Sequence, residues 1–203
     1  MSHMHSHVTR GFGLFETFLA KKRAEMANNL IPKKARKGRI LDVGCGSFPH
    51  FLLSTHFKEK HGVDLMVHKN MVPQHTRGKI FLKKINLHKE KITYPDNYFD
   101  VVVMLAVLEH IDRKKLPQLL QNINRMLKKN GVLILTTPSP WATGLLWALS
   151  RTYLISKEEI DDHKELLSNG DITHQIEKAA FSSQNIQQGY FELGWNMWFV
   201  AKK

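Results

Sequence analysis

Cysteine is nearly absent from this chain. Its single instance, Cys45, rules out an internal disulfide and fits a reducing compartment. Long apolar runs are missing as well. No stretch reaches the 18 residues needed to suggest a transmembrane helix. The N-terminus lacks the apolar h-region of a secretory signal, so the chain is expected to be cytoplasmic. Acidic residues are scarce: 18 Asp and Glu stand against 30 Lys and Arg, a formal net charge of +12. That balance favours anionic partners, whether nucleic acid, an acidic membrane surface or a phosphorylated substrate. The basic residues concentrate at Lys21-Lys22-Arg23 with Lys33 to Lys37, and again from Lys79 to Lys91. No Cys/His cluster completes a metal site, because His3, His5 and His7 fall in a stretch read as a flexible tail over 1–10. Met1 to Met4 of that tail reads as an expression-vector remnant. No internal repeat or low-complexity segment appears, and the remainder, 11–203, is long enough for one domain with a sizeable core.

What the chain does have is Ile40-Leu41-Asp42-Val43-Gly44-Cys45-Gly46. A short strand signal runs into two glycines that let the backbone turn sharply and approach a ligand. Ser47 reads as the N-cap of a following helix at about 48–58. Strand, glycine turn and helix N-terminus together make a nucleotide-type corner with free N–H groups aimed at the ligand. A dinucleotide fingerprint would need a third glycine where Pro49 stands, and no Gly-Lys-Ser/Thr of a Walker A loop follows. A pyrophosphate ligand is therefore disfavoured. Asp64 ends a second apolar stretch, Gly62-Val63-Asp64-Leu65, where a carboxylate can accept both hydroxyls of a ribose. The corner suits an adenosine ligand without a diphosphate.

Strands and helices alternate from Arg39 onward. Strands are predicted at 40–44, 61–65, 79–85, 99–105 and 132–137. Helices are predicted at 48–58, weakly at 67–75, and at 113–129, the last stopped by Asn130-Gly131. The run 99–105, apolar except at Asp100, marks the buried centre of a parallel sheet. A capping box at Ser156-Lys157-Glu158-Glu159 opens another helix. A further helix near 171–180 precedes two strands, 185–192 and 195–202, joined at Gly194. This pattern predicts an α/β fold: a Rossmann-like doubly wound sheet, mostly parallel with an antiparallel C-terminal strand, and helices on both faces. Upstream, Phe12, Phe15, Phe18 and Leu19 against Lys21, Lys22 and Arg23 predict an amphipathic helix over 11–29, ended by Pro32. It packs on the domain as part of a roof, with a membrane-surface role as the alternative.

The motifs resemble those of class I S-adenosylmethionine-dependent methyltransferases, and within them the small-molecule methyltransferase type 11 group. The matching residues are Leu41-Asp42-Val43-Gly44-Cys45-Gly46, Asp64 and Asn86-Leu87. They continue with Phe99-Asp100-Val101-Val102-Val103 running into Val107-Leu108-Glu109-His110-Ile111, and end with Gly131-Val132-Leu133-Ile134-Leu135. The likeness spans about residues 38–138. It implies S-adenosylmethionine as cofactor, with S-adenosylhomocysteine as product. It places Asp42, Gly44, Cys45, Gly46, Asp64, Leu65, Asn86, Leu87, Leu105 and His110 around that cofactor. Asp42 would take the ammonium, Asp64 the ribose, Asn86 and Leu87 the adenine edge, and Leu105 would offer its backbone carbonyl. Asn86 stands where the family usually has aspartate. Phe48 stands near the family's third glycine and would narrow the space beside the methionine part. Cys45 has a second reading as a small residue that merely fits the turn.

Candidate catalytic groups are His110 and His163. His110 either lines the cofactor or substrate space or serves as a structural hydrogen-bonder. His163, beside Asp161 and Asp162, is either a carboxylate-held base or an exposed helix residue. Glu109 has a bland reading as a carboxylate complementing a helix start. Roof segments at 11–29 and 138–165 cover the crevice. In the second, Trp141 and Trp147 either line an apolar pocket or pack in the core. The expected acceptor is a small molecule, amphipathic or anionic, with peripheral contact to an anionic membrane surface as a further partner. Two other functions are weighed. A nucleic-acid methyltransferase is disfavoured because Leu105-Ala106-Val107-Leu108 replaces the Asp/Asn-Pro-Pro-aromatic sequence of base-amine enzymes. A non-catalytic cofactor-binding protein finds its support in Phe48. The oligomeric state is open.

Overall fold

A computed structural model describes residues 14–67, 80–141 and 166–203. Seven strands form one sheet: β1 (Arg39–Val43), β2 (Glu59–Asp64), β3 (Ile80–Lys84), β4 (Phe99–Leu105), β5 (Leu127–Pro138), β6 (Ile186–Phe191) and β7 (Asn196–Lys202). Their order is β3-β2-β1-β4-β5-β7-β6. The first five pair in parallel, and β7 alone runs against its neighbours, antiparallel to both β5 and β6. This is the doubly wound, mostly parallel sheet that the alternation predicts. The strand order reverses between β1 and β4, which is where open α/β sheets bind ligands.

Side-chain alternation sorts the core onto the two sheet faces. Leu41, Val43, Val102, Met104, Leu133, Leu135, Met197 and Phe199 pack with α3 (Leu116–Met126) and α4 (Asn169–Lys178). Ile40, Val101, Val103, Val132 and Ile134 pack on the other face with α1 (Leu14–Leu30) and α2 (His50–Ser54). Covering both faces explains why β4 is apolar at successive positions rather than at alternate ones.

Several helix boundaries differ from expectation, each for a tertiary reason. α1 docks through Ala24, Ala27, Leu30 and Ile31, whose small or aliphatic side chains let the helix lie close to the sheet. Of the expected aromatic stripe, Phe18 is 52% exposed and takes no part in this docking, while Phe12 and the side chain of Phe15 lie outside the described residues. α2 is five residues long instead of spanning 48–58. The Lys60 ammonium takes the carbonyls of Leu52 and Thr55 at 2.6 and 3.2 Å, which ends the helix. The Thr55 hydroxyl then bonds Asn28 Oδ1 at 2.7 Å. Ser47 is not its N-cap. A tight turn, His50 N–H to Phe48 carbonyl at 2.8 Å, delays the helix until Pro49 caps it. α3 stops at Met126 rather than 129 because the backbone N–H groups of Asn97 and Tyr98 occupy the Arg125 and Met126 carbonyls. Leu127 then joins the sheet opposite Phe99. α4 opens with a capping box in which Ser168 and Asp171 satisfy each other's backbone N–H groups. The tail 1–10, the weak helix at 67–75 (beyond Val67) and the capping box at 156–159 lie outside the described residues. Among the described residues no helix is long and apolar enough to cross a membrane.

Candidate functional site

The corner forms where β1 ends. Gly44 and Gly46 adopt φ of 80° and 74°, left-handed backbone that glycine reaches without steric cost. Gly44 is excluded from bearing a side chain on a second ground: a Cβ there would stand 2.3 Å from Val107 Cγ2. The N–H groups of Gly44 and Cys45 both donate to the Val63 carbonyl, at 2.8 and 3.3 Å, tying the turn to β2. Cys45 is buried, and burial pushes its thiol far above the ordinary range. Gly62 makes room for it, since a Cβ on Gly62 would lie 2.8 Å from Cys45 Sγ. The thiol is an inert small group, as its bland reading holds.

Two carboxylates flank this turn, and they differ. Asp64 Oδ2 accepts the Gly46 N–H at 3.0 Å and Oδ1 accepts the Met66 N–H at 2.7 Å. It braces the corner, and its remaining lone pairs stay available, since an ionised carboxylate has about four acceptor sites. Asp42 is 3% exposed, and no described residue donates a hydrogen bond to it. Burial first, and the Asp64 charge second, push its carboxyl up to about 8. A buried carboxyl without a donor is costly unless a cation completes it. That fits the ammonium of S-adenosylmethionine.

The other expected residues gather less tightly. Asn86 is a turn residue: its Oδ1 accepts the His88 N–H at 3.0 Å, and its own N–H donates to Glu90 Oε1 at 2.9 Å. An adenine-edge role would have to use the second lone pair or the Nδ2 donors. Leu87 packs half-buried on the core beside it. Leu65 is exposed at the end of β2. Leu105 closes β4, and the next residue, Ala106, takes φ 55° while donating to the Thr136 carbonyl at 2.9 Å. His110 ends a 3-10 turn, Leu108–His110, its N–H bonded to the Val107 carbonyl at 3.1 Å.

The family described as methyltransferase domain matches residues 14–184. The chain belongs to that family. Similar solved structures share the fold at low identity. A methyltransferase from Archaeoglobus fulgidus, titled as S-adenosylmethionine-dependent, has a TM-score of 0.64 and 19% identity, over 93% of this chain and 94% of that one. A Thermotoga maritima protein titled as a possible histamine N-methyltransferase has a TM-score of 0.68 and 20% identity, over 94% and 91%. A Haemonchus contortus phosphoethanolamine N-methyltransferase, in complex with phosphomonomethylethanolamine and S-adenosylhomocysteine, has a TM-score of 0.63 and 17% identity. It covers 90% of this chain and 53% of its own. No curated protein matches significantly.

The methyltransferase carries two features at the carboxyl ends of its strands that the sequence reading missed. Glu109 does stand at a helix start, in the Leu108–His110 turn, but it is more than a complement to the dipole. It is 6% exposed, and Oε2 accepts from Thr137 Oγ1 at 3.1 Å, so it locks the 3-10 turn to β5. Its signal was an acid set among Val107, Leu108 and Ile111. The second feature is the β6–β7 loop, where Glu192, Leu193 and Gly194 all take positive φ, at 53°, 56° and 87°. Ser139 N–H and Oγ both donate to the Trp195 carbonyl, at 2.8 and 3.0 Å, lacing the chain that leaves β5 to this loop. Trp141 lies over Gly194, leaving 2.8 Å between its Cζ2 and a notional Cβ, and is 55% exposed. Trp141 is thus a half-open cover on the hairpin tip, not a core residue. His163, Trp147 and the roof beyond Trp141 lie outside the described residues.

Proposed function

We propose that this S-adenosylmethionine-dependent methyltransferase acts on a small-molecule acceptor, amphipathic or anionic. The buried Asp42 carboxyl beside the Gly44–Gly46 turn is the observation that carries the cofactor assignment. S-adenosylmethionine supplies a methyl group already activated on a sulfonium, so the chain's work is binding, orientation and exclusion of water. Asp42 holds the ammonium, and Gly44, Cys45 and Gly46 let the backbone come close. Asp64 accepts from the ribose through lone pairs its backbone partners leave unused. Leu65, Asn86 and Leu87 border the adenosine, and Leu105 offers its carbonyl. His110 lines the space above β4. His163 is the base if the acceptor needs one.

The small-molecule reading is supported by the β4 end, where Leu105-Ala106-Val107-Leu108 carries none of the prolines and aromatics of base-amine enzymes. The Thermotoga and Haemonchus neighbours are named for small acceptors. Exposed Phe18 and Trp141 with the +12 charge favour an acceptor, or a peripheral surface, that is both apolar and anionic. The test incubates the protein with methyl-labelled S-adenosylmethionine and separate small-metabolite, nucleic-acid and protein fractions. Label is expected in the small-metabolite fraction. Label confined to nucleic acid or protein would overturn the reading.

A further inference from the structure

Four buried polar atoms without a hydrogen-bond partner lie on one side of the sheet's carboxyl end. They are Arg23 Nε, Glu192 Oε1, Asn196 Oδ1 and Thr136 Oγ1. Thr136 and Asn196 belong to the sheet face that α1 covers. Pro138 pairs with Asn196, and Thr136 stands two residues back on the same side of β5. Arg23 comes from α1 and acts electrostatically on Glu192, yet the two form no ion pair within 4.0 Å. Asn196 is 4% exposed, and its Nδ2 is spent on Glu192 Oε2, which fixes the amide with Oδ1 directed elsewhere. Glu192 is held in left-handed backbone, a strained state for a residue with a side chain, and such strain concentrates at ligand sites.

Building on the methyltransferase reading, we propose that Arg23, Glu192 and Asn196 anchor a hydroxylated part of the acceptor, best a vicinal diol. One hydroxyl donates to Glu192 Oε1 and accepts from Arg23 Nε–H, and its neighbour donates to Asn196 Oδ1. The donor set selects this chemistry. A hydroxyl is both donor and acceptor. An ammonium has nothing to offer the guanidinium. A carboxylate would meet two acceptors and a like charge. Arg23 and Glu192 cancel in net charge, so the site does not call for an ion. It adjoins Trp141 through the same hairpin, which places an apolar cover beside a diol anchor and suits an amphipathic molecule.

The test uses the full chain saturated with S-adenosylhomocysteine and three probes on one ring: trans-1,2-cyclohexanediol, cyclohexylammonium and cyclohexanecarboxylate. The Arg23 Nε–H and Asn196 side-chain amide signals are followed by NMR. The diol is expected to shift both saturably, at least tenfold more tightly than either ion. Glu192→Gln and Arg23→Met should each weaken it at least tenfold while S-adenosylhomocysteine affinity holds. Selectivity in the unaltered protein decides the matter even if a variant fails to fold. Equal binding of an ion overturns the proposal. So does no saturable shift by the diol in protein that binds S-adenosylhomocysteine, which would mean the polar atoms are met by water alone. Failure of S-adenosylhomocysteine itself to bind would instead overturn the cofactor reading, and the diol anchor with it.

Discussion

Two aspartates, Asp42 and Asp64, flank the proposed cofactor site in opposite states. Asp42 is buried without a donor, with its carboxyl pushed from the ordinary 3.8 up to about 8. A raised folded-state value means that this group's share of stability is present in acid and is lost as pH rises toward 8. The cofactor's ammonium needs the ionised form, so binding near neutral pH must expel the proton. Affinity for S-adenosylmethionine should therefore climb between pH 6 and 7 by up to about tenfold, the limit for one linked proton. Calorimetry in two buffers of different ionisation heat should record proton release. Asp42→Asn should abolish the release and flatten the pH profile. A flat profile in the unaltered protein would show that Asp42 does not face the ammonium. Asp64 braces the Gly46 and Met66 N–H groups, beside the ribose contact proposed for it. Asp64→Ala should cost on the order of 1.5–3 kcal/mol in cofactor binding. It should also lower the melting temperature, because two backbone donors lose their acceptor. Affinity within twofold of the unaltered protein would remove Asp64 from the ribose.

At the scale of elements, the amino end of β2 holds a cluster remote from the cofactor. Glu59 accepts from His61, Tyr98 and Arg39 at 2.6, 2.9 and 3.2 Å. Burial raises its proton affinity, but these partners outweigh that and hold the carboxyl down at about 2, against an ordinary 4.5. A depressed value contributes stability that is complete above pH 4.5 and is lost as pH falls toward 2. Glu59→Gln should therefore destabilise at pH 7 by about 1–2 kcal/mol, a figure reduced for the group's partial exposure. Its denaturant midpoint should converge with that of the unaltered protein near pH 2, and an unchanged midpoint at pH 7 would refute the cluster's role. The strands were legible because their signal is local: Val101 to Leu105 is apolar throughout, and both faces are indeed covered. Helix ends were not, because distant groups set them. Lys60 ends α2, and Asn97 with Tyr98 end α3. The glycine corner and Asp64 could be read from spacing, and Asp42 from the family resemblance. Arg23, Glu192 and Asn196 could not, since the fold alone brings Arg23 of α1 within electrostatic reach of Glu192 in the last hairpin.

Across the whole molecule, the reversal of strand order between β1 and β4 places the corner at one edge of a crevice and Glu109, His110 and the hairpin tip around it. Gly44 is the joint between these parts, as Val107 of the β4 end fills the place a side chain would take. Gly44→Ala should therefore impair folding and cofactor binding together, read as a lower melting temperature and a weaker calorimetric titration. Normal values in both would mean that the corner and the β4 end are not tightly apposed. The central claim is that the crevice binds S-adenosylmethionine, and thermal unfolding at rising cofactor concentration tests it most directly. At about 100 times the dissociation constant, the ligand should stabilise the fold by about 2.7 kcal/mol, and Asp42→Asn should need far more cofactor for the same shift. No shift at millimolar S-adenosylmethionine or S-adenosylhomocysteine would contradict the account.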